Sequence, residues 1–447
     1  LESAVKPIEP VFLDYQKDMS QLKAKSDIPV LYKQNVANDL FQLIYVFDMG
    51  NNHDKALGTA FDYLEYLGTS DMTPEELKSE FYRLACTFYV SPGNERTYVV
   101  LSGLNENMPA AVQLFEKLLA DAQVNKEAYT NMTSDILKAR SDAKLNQGQN
   151  FSRLMSFAMY GPKSPATNLL TEAELTNMNP QELVDRIHNQ NSYKHRILYY
   201  GPSSSKDLLA TINQYHQVPA ALKDIPAGNE YSYLETPVTK VLVAPYDAKQ
   251  IYMAQISNLD KKYDPAIEPI RALYDEYFGG GMNSIVFQEM RETRGLAYSA
   301  WASIMPPSYL KYPYVLRTQI ATQNDKMIDA VTTFNDIINN MPESEAAFKL
   351  AKDGLTNRLR TERIIKGDII WSYINAQDLG QNVDPRIKLY NDIQNMSLKD
   401  IVDFQKQWVK GRTYVYCILG DKKDLELDKL KAVGPIEELT QEQIFGY

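Results

Sequence analysis

Metal-assisted hydrolysis on a helix needs two imidazoles about one turn apart and a carboxylate to activate water. This sequence offers no such pair. Its four histidines are His53, His188, His195 and His216, and no two stand four or five residues apart. His188 and His195 are seven apart, in a segment that passes from helix into strand, and each of the four reads as a surface or hydrogen-bonded histidine. Gly-x-Ser-x-Gly, P-loop and Rossmann fingerprints are absent as well, so no nucleophile or nucleotide site suggests itself. The informative stretch is Phe278 to Ala302, FGGGMNSIVFQEMRETRGLAYSAWA. Gly279, Gly280 and Gly281 follow a helix ending at Phe278 and give a turn with close backbone approach. Asn283 or Ser284 can cap the next helix, which runs through Phe287 and Met290 and stops near Gly295. A strand opens at Ala297-Tyr298-Ser299. Arg291 then falls in the last helical turn and Tyr298 just past the stop, so both can face one groove. By residue type alone, Arg-Glu-Thr-Arg describes a solvated helix face, and a tyrosine entering a strand describes core.

The elements that must position these residues occur twice. Tyr63-Leu64-Glu65-Tyr66-Leu67-Gly68 is answered by Tyr274-Asp275-Glu276-Tyr277-Phe278-Gly279, and Tyr98-Val99-Val100-Leu101 by Tyr314-Val315-Leu316. Asn177-Met178, Val184-Asp185 and a strand ending at Gly201 return as Asn395-Met396, Val402-Asp403 and a strand ending at Gly420. The offset stays between 211 and 219 residues, about half the chain, which implies two duplicated domains rather than a solenoid. Phe41 to Phe47 reads as a strand, residues 54 to 67 as a helix with Leu57, Ala60, Phe61, Leu64 and Leu67 on one face, and Thr73-Pro74 as a capped helix start. In the second unit, residues 250 to 257 read as a strand, followed by a helical stripe at Ala266, Ile270, Leu273 and Tyr277. The expected class is α/β (α+β): two homologous domains, each a largely antiparallel or mixed sheet with helices packed on it. The expected division is an incoming linker at 1–30, a first domain at 31–216, a linker at 217–237 with three prolines, and a second domain at 238–447.

The 447 residues carry a formal net charge of −10 with no concentrated basic stripe, which argues against a nucleic-acid partner. No apolar run is long enough to cross a bilayer as a helix. Cys86 and Cys417, the only two cysteines, each lie in an apolar run and read as buried thiols. The 30 tyrosines are scattered rather than grouped, so packing accounts for them better than a carbohydrate-stacking surface. The chain begins at Leu1 rather than Met, which leads us to expect an upstream segment removed from it. A periplasmic and a cytoplasmic setting are equally compatible with this composition.

Gly-Gly-Gly-Met-Asn-Ser followed by Phe-Gln-Glu-x-Arg-Glu-x-Arg-Gly-Leu-Ala-Tyr closely resembles the signature of the pitrilysin and insulin-degrading-enzyme family of inverzincin metallopeptidases. Processing-peptidase and respiratory core subunits share its LuxS/MPP-like fold. Element order and duplicated length extend the resemblance over essentially the whole chain. It implies that two halves close over a peptide, one bearing zinc on His-x-x-Glu-His with a further Glu downstream, the other presenting an Arg and a Tyr seven residues apart. Arg291 and Tyr298 have that spacing. By the same resemblance they hold the substrate backbone and help polarise the scissile carbonyl.

Aligning Gly68-Thr69 with the family's Gly-Thr puts Thr59, Asp62 and Tyr63 at the places of His, Glu and His, and no glutamate stands near Asp135 to Ala139. The resemblance therefore implies a zinc-domain-like first unit with its ligands lost. No cofactor is expected on this chain, and zinc is expected in a partner half, either upstream in the same polypeptide or a separate subunit. On its own the chain is expected to be inactive. The alternative is a catalytically inactive scaffold subunit of the processing-peptidase or core-protein type.

Overall fold

Phe41 to Phe47 is apolar on both sides of the pleat, and such a strand must be covered on both faces. In the computed structural model, which describes residues 8–247 and 250–447, it lies inside a six-stranded mixed sheet. The strands are β1 Ser20–Lys23, β2 Pro29–Gln34, β3 Leu40–Phe47, β4 Cys86–Pro92, β5 Thr97–Leu104 and β6 Arg196–Gly201, ordered β1-β2-β6-β3-β5-β4. Only β2 and β6 run parallel. A second six-stranded sheet holds β7 Lys240–Pro245, β8 Gln250–Lys262, β9 Ser299–Met305, β10 Pro313–Gln323, β11 Val415–Gly420 and β12 Ile436–Glu438, ordered β12-β7-β11-β8-β10-β9. Here β7 is parallel to both β11 and β12. From β2 to β4 and from β7 to β9, five strands follow one order with the same senses.

One face of each sheet is covered by its own helices. Phe41, Leu43, Tyr45 and Phe47 pack beneath Leu57–Leu64 and Met108–Asp121, while Val241, Val243, Ile251 and Met253 pack beneath Glu268–Phe278, Met327–Asn339 and Leu398–Trp408. The opposite faces are covered crosswise. Helix Gln147–Tyr160 lays Phe151, Leu154 and Ala158 on Leu242, Ala254, Ile256 and Cys417 of the second sheet. Helix Asp368–Asp378 lays Ile369, Ile370 and Ile374 on Ile44, Val46, Val100 and Leu198 of the first. Each Leu, Ile, Val or Phe side chain fully buried in this way contributes roughly 1.5–3 kcal/mol. Arg96 adds a polar tie: it donates to both Asp378 oxygens, at 2.6 and 2.5 Å, and to Asp48 at 2.5 Å.

Between His216 and Lys240 the chain forms neither helix nor strand, apart from a single bridge from Lys223 to Tyr193. Tyr233 in this stretch stacks on Tyr312 and meets Tyr160 edge-on, each at 5.0 Å between ring centroids. The incoming linker needs correction. Residues 1–7 lie outside the described residues, but Tyr15–Asp18 is a helical turn, β1 pairs with β2 in the first sheet, and β2 begins at Pro29. Leu13, Tyr15 and Met19 join the core under Ile370 and Ile374, which is why this charge-bearing stretch is held down. The helix expected over 54–67 is regular only over Leu57–Leu64.

Candidate functional site

Helix Glu268–Phe278 drives Leu273, Tyr274, Tyr277 and Phe278 into the core of the second unit. It ends where its backbone meets β9. A β-carbon on Gly279 would lie 2.2 Å from the Ala302 carbonyl oxygen, so only glycine permits the approach. The amides of Gly279 and Gly280 both donate to Asp275 O, at 3.1 and 2.7 Å. Gly281 faces open space. Ser284 then caps the next helix, its Oγ accepting from the Phe287 amide at 3.4 Å.

That helix departs from the expected form. After one α-helical turn at Ile285–Phe287 it widens into a π-turn over Gln288–Thr293, and the Leu296 amide reaches back to Met290 O at 2.9 Å. Val286 and Met290, both fully buried, anchor its inner side. Gly295, at φ +58°, ends it in the left-handed region that a side chain disfavours. Widened turns of this kind recur at functional sites. The stretch after it is pinned by Lys326 Nζ donating to Gly295 O at 3.1 Å and Thr322 Oγ donating to Leu296 O at 2.6 Å.

Arg291 sits on the π-turn with its side chain half exposed, its guanidinium 5.2 Å from the Phe287 ring centroid and 3.8 Å from Glu292. Tyr298 precedes β9 and is 59% exposed, so it is not the core residue its type suggested. Its hydroxyl accepts from Gln323 Nε2 at 2.9 Å, and its amide donates to Ala321 O at 2.9 Å. Tyr298 lines a hollow of about 110 Å³ with Gly295, Leu296, Ala297, Gln323 and Lys326. On its other side it borders an open depression of about 700 Å³ with Gln250, Gln323, Asn324 and Asp325. Arg291 lines neither of these. Both side chains reach solvent from one helix-to-strand turn, with the tyrosine at the lip of the concavity and the arginine a turn behind it.

Thr59, Asp62 and Tyr63 lie on helix Leu57–Leu64. Thr59 is half-buried and Asp62 exposed, whereas Tyr63 is fully buried. The Tyr63 hydroxyl donates to Asn125 O at 2.6 Å and accepts from the Asn125 amide at 2.9 Å, and burial pushes that hydroxyl's pKa up. A threonine and a committed phenol do not fit zinc, which takes imidazole, thiolate or carboxylate. Among the described residues no group of three His, Cys, Asp or Glu side chains has the arrangement to hold a metal ion.

The remaining polar cluster was not legible as a cluster. His53 accepts from the Gly50 amide at 3.0 Å and His188 lies 3.0 Å from Ala122 O. His195 and His216, 21 residues apart, face one another at 2.8 Å, and Glu116, 100 residues from His216, completes a buried chain. A signal did exist for Glu116: it falls among Met108, Val112, Phe115 and Leu119 on the apolar stripe of its helix, where a carboxylate requires partners.

Residues 197–355 match the family model described as Peptidase M16 inactive domain. A protein of Helicobacter pylori called "Non-peptidase homolog YmxG" is 23% identical over 422 residues, covering 89% of this chain and 93% of that protein. The solved peptidase M16 inactive domain from Pseudomonas fluorescens superposes with a TM-score of 0.69 at 15% identity, over 90% of this chain and 98% of its own. The periplasmic protease PqqL of Escherichia coli superposes with a TM-score of 0.71 at 12% identity, and the chain spans 47% of its length. The family model runs from β6 to helix Glu345–Thr361 of the second unit, and the fold of both sheets is that of solved peptidase M16 proteins, so the chain is similar to the inactive domain of the peptidase M16 family.

Proposed function

We propose that this chain is the substrate-binding, non-catalytic half of a zinc metalloendopeptidase. It closes over an extended peptide and presents Arg291 and Tyr298 to it, while a partner half supplies zinc and the His-x-x-Glu-His. The two units are proposed as a duplicated pair, with a degenerate zinc-type domain first and the Arg/Tyr-bearing domain second. The partner half is either part of the same polypeptide or a separate subunit. When bound there, zinc polarises the scissile carbonyl and activates water.

The observation that carries this reading is Tyr298: a large aromatic left 59% exposed, lining a concavity, with its hydroxyl accepting from the Gln323 side chain. A phenol and a guanidinium directed at a peptide carbonyl donate to its oxygen, and enclosure between two halves raises the value of those bonds by excluding water. The buried Val286 and Met290 beneath the π-turn fix the backbone from which both side chains project. Among the described residues, the Arg291 guanidinium gives up a stacking contact on Phe287 and a loose pairing with Glu292 when it turns to a ligand.

The test is steady-state kinetics of the assembled enzyme. Tyr298→Phe and Arg291→Ala each lower kcat/KM by about tenfold or more, equivalent to about 1.4 kcal/mol, with unchanged Tm. Wild-type kinetics in both variants contradict the reading. They would favour the scaffold alternative, which draws its own support from Arg291 lining neither concavity.

A further inference from the structure

Glu116 is 1% exposed, and its carboxylate is fully subscribed. Oε1 accepts from the Tyr45 hydroxyl at 2.9 Å and faces His216 Nδ1 at 2.6 Å. Oε2 accepts from Asn191 Nδ2 at 3.0 Å and from the Gln217 amide at 2.9 Å. His216, with no exposure, turns its Nε2 to His195 Nε2 at 2.8 Å, and His195 Nδ1 lies 2.7 Å from Tyr193 O. The chain joins β3, helix Met108–Asp121, the lead-in to β6, and the point where helix Ser205–Tyr215 gives way to the irregular stretch before β7.

Hydrogen-bond chemistry fixes where the protons are. A carbonyl oxygen only accepts, so His195 Nδ1 carries a proton and donates to Tyr193 O. A neutral His195 then presents a bare Nε2, and His216 donates its Nε2–H into it. One proton lies between His216 Nδ1 and Glu116 Oε1. Every ring nitrogen and carboxylate oxygen is thereby used once or more, and the chain has no room for another proton. Added at His195 Nε2, a proton would set two N–H groups head to head across 2.8 Å. The ionisable groups facing His195 and His216 are Glu116 from the helix and Tyr45 from β3, whose ring lies 4.3 Å from that of His216. Phe47 closes the His195 side at 4.6 Å, and among the described residues no lysine or arginine side chain hydrogen-bonds to any member.

We propose that this buried chain is an acid-sensitive latch, holding the start of the irregular stretch at His216 and Gln217 against the first sheet while His195 is neutral and releasing it when His195 takes a proton. Burial first, then the neighbouring His216 ring, brings the pKa of His195 down to about 3 from an ordinary 6.5. The folded value is depressed, so the open form takes up the proton first. Through His195 the latch weakens as pH falls from 6.5 towards 3, up to tenfold per pH unit.

Hydrogen exchange of the segment 216–224, corrected for the intrinsic rate at each pH, reads this directly. The wild-type protein is expected to show an opening constant that rises up to tenfold per unit below pH 6.5. In His195→Gln, whose amide oxygen can accept from His216 without titrating, the rise is expected to disappear. An opening constant independent of pH in the wild type, or an equal rise in the variant, overturns the proposal. If the variant does not fold, nitrogen NMR of the wild-type histidines at pH 5 decides. Nδ1 protonated and Nε2 bare at His195 supports the latch, and both nitrogens protonated in the folded protein overturns it.

Discussion

Gly279 and Gly281 are two residues apart and differ in what they tolerate. An added methyl at Gly279 meets the Ala302 backbone at 2.2 Å, whereas at Gly281 it meets nothing within 4 Å. Gly279→Ala is expected to cost about 1–3 kcal/mol or more by forcing the end of helix Glu268–Phe278 away from β9, and Gly281→Ala to stay within about 0.5 kcal/mol. Urea denaturation of the two variants measures the difference, and equal costs would mean that the glycines serve only as a flexible turn. Tyr63 poses a similar question in the first unit. Tyr63→Phe leaves the Asn125 amide and carbonyl without their buried partner and is expected to cost about 1–3 kcal/mol. A neutral outcome would show that the phenol is not fixed in this structural role. At this scale the sequence was readable where the signals are local: Ser284 caps, Gly295 stops, and Arg291 and Tyr298 fall on either side of that stop. Glu116, His195 and His216 were not readable as a unit, because their contact depends on bringing together residues 21 and 100 positions apart.

Among the elements, the π-turn at Gln288–Thr293 shows where periodicity ceases to inform. The spacing of Phe287, Met290 and Gly295 gives a helix and its end, but the extra residue in the turn is set by Met290 seating in the core and by the Leu296 amide returning to Met290 O. The two sheets with helices upon them were legible from strand and helix patterns. The crosswise covering was not, since an apolar stripe announces that a face is buried without naming the sheet that buries it. Leu154 makes this measurable. It belongs to a helix between elements of the first unit yet packs on the second sheet with no exposure. Leu154→Ala is expected to destabilise by about 2–5 kcal/mol and to loosen exchange-protected amides in β7, β8 and β11. Protection lost only around helix Gln147–Tyr160 would contradict that coupling.

For the molecule as a whole, the exchanged helices, the Tyr160–Tyr233–Tyr312 stack and the Arg96–Asp378 pair make the two units one mechanical body. Removing Arg96 leaves Asp378, 14% exposed, without its cation, and Arg96→Ala is expected to cost about 3 kcal/mol. Calorimetry should return one transition in the wild type and in this variant, and two separated transitions would show that the units fold independently. A rigid half suits the proposed role, because any closing motion then occurs against a partner and carries Arg291 and Tyr298 as fixed points. In the proposed closed assembly Tyr298 touches the peptide. Placing the photo-crosslinking residue p-benzoylphenylalanine at 298, with the zinc-bearing half and a labelled peptide present, tests it most directly. Label is predicted to transfer to position 298 on irradiation and not to position 89 on β4, where a tyrosine is comparably exposed at 50%. Transfer that is absent at 298, or equal at the two positions, would contradict the account.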